Sequence, residues 1–565
     1  MVKNAFKILI IIIIIANVAS PTSQNPKFYS EYAYGSSYGL SLAINYVHMA
    51  GDSELAAQEL SNRLEYSGND KKLFKSTLLA YLYAGNIDKA IFYAKYYLNL
   101  DPNDSIAKLL IVIDNIKKDK FSSTAKEINS LLALEKKNNS LGVDTLALEY
   151  LLIWAYVGDD NYQLATKIAD NISARGDESG LFYFQRAVLN DLNGDEIKAL
   201  QYFKKSESLA KVSYNYLDVA RNFYLKTKNN SELAKIRNTI DYGSTYLNKY
   251  NEVRWQKLDN ILEKKKYYAK LMISEIFLDI AKIFAGYNAA LPTKIYSHLS
   301  LYINDNNIET VITLAQEYES EKKYQQAIDV YNKISKDSDF YDYTQVSANK
   351  DNYYLGNKNK AIEQFYKISK QKDLYFHALA TLADLYMEDK LYAKATTIYN
   401  DLEKAEYKGN KWFIYFLRGI CYHNLKQLDK ANNDLETALK LYPNQPDLLN
   451  YLAYTWLEQN IRIDEARLMV EKALKQRPEN AQIIDSMGWV FYRLKDYKKA
   501  ENYIEKALEA LPQDAIINDH LGDIYWQQGR KLEARFQWQK ALKYSNNNED
   551  IPTDVLKNKI EKGLL

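Results

Sequence analysis

The chain has 565 residues, of which 47% are hydrophobic, 13% aromatic and 26% charged, with only 19 Gly and 9 Pro. That mixture suits a folded, all-helical chain and argues against extensive disorder, while the single Cys421 can form no intramolecular disulfide. With 74 basic and 72 acidic residues the formal charge is +2, which gives no overall electrostatic reason to expect nucleic acid as a partner. The 50 tyrosines accompany a general richness in Lys, Asn and Ile, and read as ordinary helix-packing residues.

Residues 1–20 read as an export signal. Lys3 and Lys7 supply the positive region, Ile8 to Ala16 the apolar core, and Ala19 and Ser20 the small residues that follow. The apolar run is too short for an ordinary membrane span. Pro21 disfavours a cut after Ser20, and Asn17 disfavours one after Ala19, so a cleaved signal peptide and an uncleaved N-terminal anchor both stay open. No Cys lies near this site, which excludes bacterial lipidation. The expected location is the periplasm, with peripheral or N-terminally anchored membrane association. Residues 21–36 are polar and Tyr/Ser-rich, and read as a tether.

From Ser37 to about residue 240 a pattern recurs at intervals near 34 residues. The unit from Ser37 places Gly51-Asp52 at a turn and Ala56 at position 20. The next, from Lys71, carries Tyr81, Gly85, Ala90 and Pro102. Units near Ser105 and Leu146 are degenerate, the latter recognisable from Tyr156 and Ala165. Gly180 opens a better one with Ala187, Gly194, Ala199 and Phe203, and a weak unit follows. Residues 241–273, with Lys264-Lys265-Lys266, break the register and read as an irregular helical joint whose lysines form a solvated face. A second array covers 274–548, with units starting near Ser274, Ile308, Asp342, Phe376, Trp412, Pro446, Ala481 and Ala515. Residues 549–565 then form a capping helix, with Leu556, Ile560 and Leu564 on one stripe.

The pattern is clearest from Ala481 to Asn548, which divides into two lines of 34 residues. The first carries Ile484, Met487-Gly488, Phe491, Ala500, Ala507 and Pro512; the second carries Leu521-Gly522, Tyr525, Ala534, Trp538 and Ala541. This is the spacing of the tetratricopeptide repeat (TPR), two antiparallel helices A and B per unit. Gly488, Ala500 and Ala507 fall where the helices approach most closely, so nothing larger fits without overpacking. Pro512 ends helix B, and Asp514 can N-cap the next helix A, as Pro478 and Asn480 do one unit earlier. The fold expected is an all-α, right-handed superhelical α-solenoid of about twelve to fourteen such repeats in two arrays.

The segments "LNYLAYTWLEQ", "IIDSMGWVFYRLKDYKKAE" and "INDHLGDIYWQQGRKLEARFQWQKAL" resemble a family of exported proteobacterial TPR proteins. The match is good over about 308–565 and looser over 37–240. The resemblance implies a cell-envelope location and a scaffold or adaptor role; some lipid-anchored relatives present cell-wall hydrolases to a C-terminal processing protease. This chain lacks the lipidation Cys of those relatives.

No enzymatic constellation appears. His48, His298, His377, His423 and His520 are scattered, none in H-E-x-x-H or a paired-ligand spacing, and there is no G-x-S-x-G, Walker loop or G-x-G-x-x-G. Cys421 and His423, two apart on a helix, point different ways and read as a buried thiol and a partly exposed imidazole. No metal or cofactor is expected, and residues 241–273 are too short to fold a catalytic domain.

The surface left to carry function is the concave groove. Positions 2, 5, 9 and 12 of each helix A tend to face it, which in the last units gives Phe416, Asn450, Tyr454, Asp485, Trp489, Tyr492, Asp519, Asp523 and Trp526. Aromatics beside amides and carboxylates can hold an extended peptide by stacking and by backbone hydrogen bonds. The carboxylates are expected to face solvent and to favour basic groups. The sequence therefore reads as a non-catalytic scaffold or adaptor that binds protein or peptide partners. The alternative is a structural subunit of an envelope assembly or secretion machine.

Overall fold

The computed structural model describes residues 53–67, 70–138, 145–176, 179–209, 213–233, 235, 264–336, 338, 340–371, 374–405, 411–545 and 551–564. The export signal, the tether, the first helix of the unit from Ser37 and residues 241–263 of the joint lie outside them. All regular structure among the described residues is α-helical. The chain divides into two compact units, Met1–Gln364 and Phe365–Leu565.

Local chemistry sets the helix boundaries. Asp70, Asp104, Ser179, Ser213, Asn307, Asn480 and Asp514 each accept backbone N–H bonds from the first turn of the helix that follows. Between helices A and B the chain reverses through a residue in the left-handed region, joined by Arg462 in the turn after Glu458. Gly85, Asp119, Asp160, Gly194, Lys228, Asn288, Lys322, Gly356, Lys390, Lys426, Asn460, Lys495 and Gly529 all have positive φ. Most of these positions are 34 residues apart, so the backbone keeps the repeat where side chains have drifted.

In the first unit the helices are α1 (Ser53–Ser67), α2 (Lys71–Tyr83), α3 (Ile87–Leu100), α4 (Ser105–Lys117), α5 (Phe121–Asn138), α6 (Thr145–Gly158), α7 (Tyr162–Ala174), α8 (Gly180–Leu192), α9 (Glu196–Leu209), α10 (Tyr214–Lys226), α11 (Lys264–Gly286), α12 (Ala290–Ile303), α13 (Ile308–Ser320), α14 (Tyr324–Tyr331) and α15 (Tyr341–Tyr354). Helix α6 is apolar on every side, and Leu148, Tyr150 to Ala155 and Val157 are all buried. Such a helix needs cover all round, and α11 supplies it by packing along α6.

Helix α12 packs in turn against α2, α3 and α4. There the His298 ring lies against the α2–α3 turn at Gly85, where φ is +76° and a Cβ would come within 2.3 Å of Nε2. Tyr302 Oη donates to Asp88 at 3.1 Å, and Lys270 Nζ donates to the Lys117 carbonyl at 3.1 Å. Beneath them the fully buried Glu275 accepts from Asn215 at 2.6 Å and from Asn307 at 2.9 Å. The first unit is thus closed on itself, with one core running from Ala57 to Ala348. Where the sequence changes from joint to second array at 273/274, α11 runs unbroken, because its apolar face is continuous from Tyr268 to Phe284.

Helix α16 (Lys358–Ile368) carries the division at 364/365. The second unit then contains α17 (Tyr375–Glu388), α18 (Tyr392–Lys404), α19 (Trp412–Asn424), α20 (Leu428–Leu441), α21 (Pro446–Glu458), α22 (Ile463–Gln476), α23 (Ala481–Arg493), α24 (Tyr497–Ala510), α25 (Ala515–Gln527), α26 (Lys531–Tyr544) and α27 (Thr553–Lys562). From α17 to α26 they pair A with B, each B helix packs on the A helix that follows, and α21, α23 and α25 also pack A against A. The small residues do what their spacing requires: Ala500 and Ala507 are fully buried, and a Cβ on Gly488 would meet Ile504 Cδ1 at 2.5 Å. Gly522 gives the same room to Trp538. Helix α27 covers the last pair, with Leu556 fully buried.

Candidate partner-binding face of the C-terminal repeats

Position 5 of three successive A helices is Asn450 on α21, Asp485 on α23 and Asp519 on α25. These residues do not gather into one cluster, because Asp485 and Asp519 each point toward the following helix. Asp485 takes His520 of α25, with Nδ1 at 2.9 and 3.1 Å from its two oxygens. Asp519 takes Lys559 of α27, with Nζ at 2.8 Å from both oxygens. Asp523, one turn on, also holds Lys559, at 2.8 and 3.0 Å, and accepts from Trp538 Nε1 at 2.9 Å.

The solvent-facing placement of these carboxylates is therefore corrected. Asp485, Asp519 and Asp523 are 5%, 8% and 7% exposed, because positions 5 and 9 meet the next helix before they meet water. Trp489 is buried as well. It stacks on His520 at 4.0 Å and on Tyr492 at 4.3 Å, and its Nε1 donates to Glu458 at 2.8 Å. Trp526 is half-buried, 5.5 Å from the Trp538 ring, with Gly563 so close that a Cβ there would overlap the indole.

Burial alone would lower the His520 pKa. The charge and hydrogen bond of Asp485, with Asp519 and Glu458 behind it, outweigh that and raise it to about 8. Burial and the neighbouring Asp519 push the Asp523 carboxyl up to about 6, although Lys559 pulls the other way. Burial also works against the Lys559 ammonium, but the two carboxylates raise its pKa above the ordinary lysine value.

Half-buried aromatic residues form a strip on α19, α21 and α23. Asn450, Tyr454, Tyr492 and Phe416 are half-buried there, and Glu458 is exposed. Tyr451 joins them, edge-on to Phe416 at 6.0 Å and bonded through its hydroxyl to His423 Nδ1 at 3.1 Å. Arg493 lies over Trp489 at 5.0 Å, 3.5 Å from Glu458. Sequence reasoning missed His520, Lys559, Glu458, Arg493 and Tyr451. The first had a signal, since it follows Asp485 by 35 residues and so occupies position 6 of the next unit. Cys421 is fully buried, and that burial pushes its thiol up to about 12. No group of His, Cys, Asp and Glu among the described residues could hold a metal ion.

Known proteins agree with the helix pairing. Residues 412–445 and 486–550 match tetratricopeptide repeat families. A TPR repeat-containing protein of Pseudomonas aeruginosa is 32% identical over 90 residues, 16% of this chain and 15% of that one. The BBSome complex member BBS4 of Bos taurus is 33% identical over 106 residues, 19% and 20% of the two chains. The chain thus spans no more than about a fifth of these curated relatives. Among solved structures, the APC/C hetero-tetramer Cut9–Hcn1 is 15% identical with a TM-score of 0.39, covering 92% of this chain and 96% of that one. PilW, described as a type IV pilus biogenesis factor, is 23% identical with a TM-score of 0.29, covering 34% and 86%. In fold, the described chain is all-α and carries tetratricopeptide repeats at 412–445 and 486–550.

Proposed function

We propose that the chain is a non-catalytic interaction scaffold of the bacterial cell envelope that holds a protein partner on the aromatic strip of its C-terminal repeats. The observation that carries this is the contrast between the two units. In the first, α11 and α12 cover α6 and the turns of α2 to α4 with the chain's own side chains. In the second, Phe416, Tyr451, Tyr454 and Tyr492 stay half-buried beside Glu458 and Arg493. Rigid aromatics flanked by one acid and one base suit a peptide segment, which can stack and pair charges at once. The resemblance of residues 308–565 to exported TPR proteins supports an adaptor role, one that presents cell-wall hydrolases to a periplasmic protease.

Two experiments test this reading. A reporter active only outside the cytoplasm, fused after residue 36, should be active and should fall silent with Ile11→Lys and Ile13→Lys; activity that survives both removes the envelope location. Photo-crosslinking residues at Phe416 and Tyr492 should trap a discrete partner in cells, whereas Leu468 on the outer side of α22, 65% exposed, should not. Equal trapping at all three positions would place the partner elsewhere.

A further inference from the structure

We propose that α27 is an intrachain occupant of a docking seat on the last helix pair of the C-terminal repeats, and that a partner segment of the same chemistry binds at this end by taking its place. That segment is a short helix with one basic residue set between apolar ones. The inference rests on reading the C-terminal repeats as a partner-binding face, and it names what that face accepts.

Positions 5, 9 and 12 of α25 are Asp519, Asp523 and Trp526, and α27 meets all three. Lys559 bonds both carboxylates, Gly563 lies on the Trp526 ring, and Leu556 enters the apolar layer with no exposed surface. Leu556, Lys559, Ile560 and Gly563 lie three or four residues from one another along one helical stripe, and Ile551 and Leu564 pack beside it at either end. The basic group that Asp519 and Asp523 call for is thus present, supplied in cis.

The attachment is narrow. Helix α27 has ten residues, too few to hold a helix without support, and its N-cap Pro552 makes no side-chain capping bond. Asp554, Val555, Lys557, Asn558, Glu561 and Lys562 are exposed, so the helix is held along one face only. Arg535 adds a bond to the Ile560 carbonyl at 2.8 Å. Helix α25, by contrast, is buried from Ile517 to Tyr525. Elements held on one side open at lower free energy than those packed on several. When α27 leaves, two carboxylates and an indole are uncovered together, and a lysine or arginine between apolar residues restores what was lost.

The probe is a fluorescent peptide with the sequence of residues 551–564, titrated against the full chain. Leu556→Asp releases α27 while leaving Asp519, Asp523 and Trp526 intact. This variant should bind the peptide at least about tenfold more tightly than the unaltered chain, whose apparent affinity is scaled down by its small open fraction. A peptide carrying Lys559→Glu should not bind. Equal binding by the two chains, or indifference to Lys559→Glu, overturns the proposal. A second measurement needs no variant: in the unaltered chain the α27 amides should exchange with deuterium faster than those of α25. A common rate means that α27 opens only with the repeats, which also overturns it. If Leu556→Asp damages the last repeats, the exchange comparison decides alone. Neither readout uses an envelope partner, so failure of crosslinking at Phe416 and Tyr492 would be a separate result.

Discussion

Asp485→Asn isolates the ion pair between α23 and α25. His520 has an ordinary pKa of 6.5 and is raised to about 8 in the fold. That difference is worth about 2 kcal/mol of stability at low pH, at roughly 1.4 kcal/mol per unit. A base with a raised pKa stabilises the fold fully below its unfolded value and ceases to do so as pH climbs through its folded value. The contribution is therefore about 2 kcal/mol at pH 6, about 1.3 at pH 7 and close to zero by pH 9. Asparagine keeps a hydrogen-bond acceptor and removes the charge, so the variant should lose most of this pH-dependent part. The assay is urea unfolding of both chains from pH 6 to 9. Localised exchange at α23 and α25 reads out the last repeats, and the His520 ring proton, assigned by His520→Gln, gives the titration itself. A stability gap that stays constant over this range, or a His520 midpoint at or below 6.5, would refute the charged pair.

Three other expectations follow from packing and burial. Gly488→Ala should cost about 0.5–2 kcal/mol, overpacking against Ile504 being partly offset by better helix propensity. Ile504→Val removes the clashing Cδ1, so the double variant should be more stable than the sum of the single effects by about 1 kcal/mol, read by a double-mutant cycle. Gly85→Ala should destabilise the first unit by more than about 1 kcal/mol, since it meets both a positive φ and the His298 ring; thermal unfolding with exchange at α2 and α12 checks this. His298, which burial and the lysines at 333 and 294 lower to about 3, contributes stability above pH 6.5 that declines as pH falls toward 3, so acid should loosen α12 first and His298→Gln should blunt that response.

The repeat fold was legible because its constraints are steric. Gly488, Ala500, Ala507 and Gly522 can hold nothing larger, and Asn480 and Asp514 cap where their spacing puts them. The turns were harder to see, since Lys390, Lys426 and Lys495 stand at left-handed positions where glycine would have announced them. The exposure of the groove carboxylates was misjudged. Position 5 is defined within one helix, whereas its burial depends on what the next helix offers, and the partners of Asp485 and Asp519 lie 35 and 40 residues away. In a pattern that repeats at 34 the first separation shows only as position 6 of the next unit, and the second falls beyond the last repeat. Closure of the first unit was hidden for a similar reason: α6 announces by its apolar surface that something covers it, and nothing in its own sequence names α11.

That closure bears on how the two units can evolve. In an open array each pair of helices touches only its neighbours, so a whole repeat can be gained or lost and the rest will still stack. The second unit keeps that freedom along α17 to α22. In the first, α12 must arrive at the turn of α2 and α3 with His298 over Gly85, and α11 must lie along α6. Deleting a repeat between them would carry both helices out of reach of their seats. The number of repeats in the first unit is fixed by geometry, so relatives that share it should differ there by substitution and in the second unit by length.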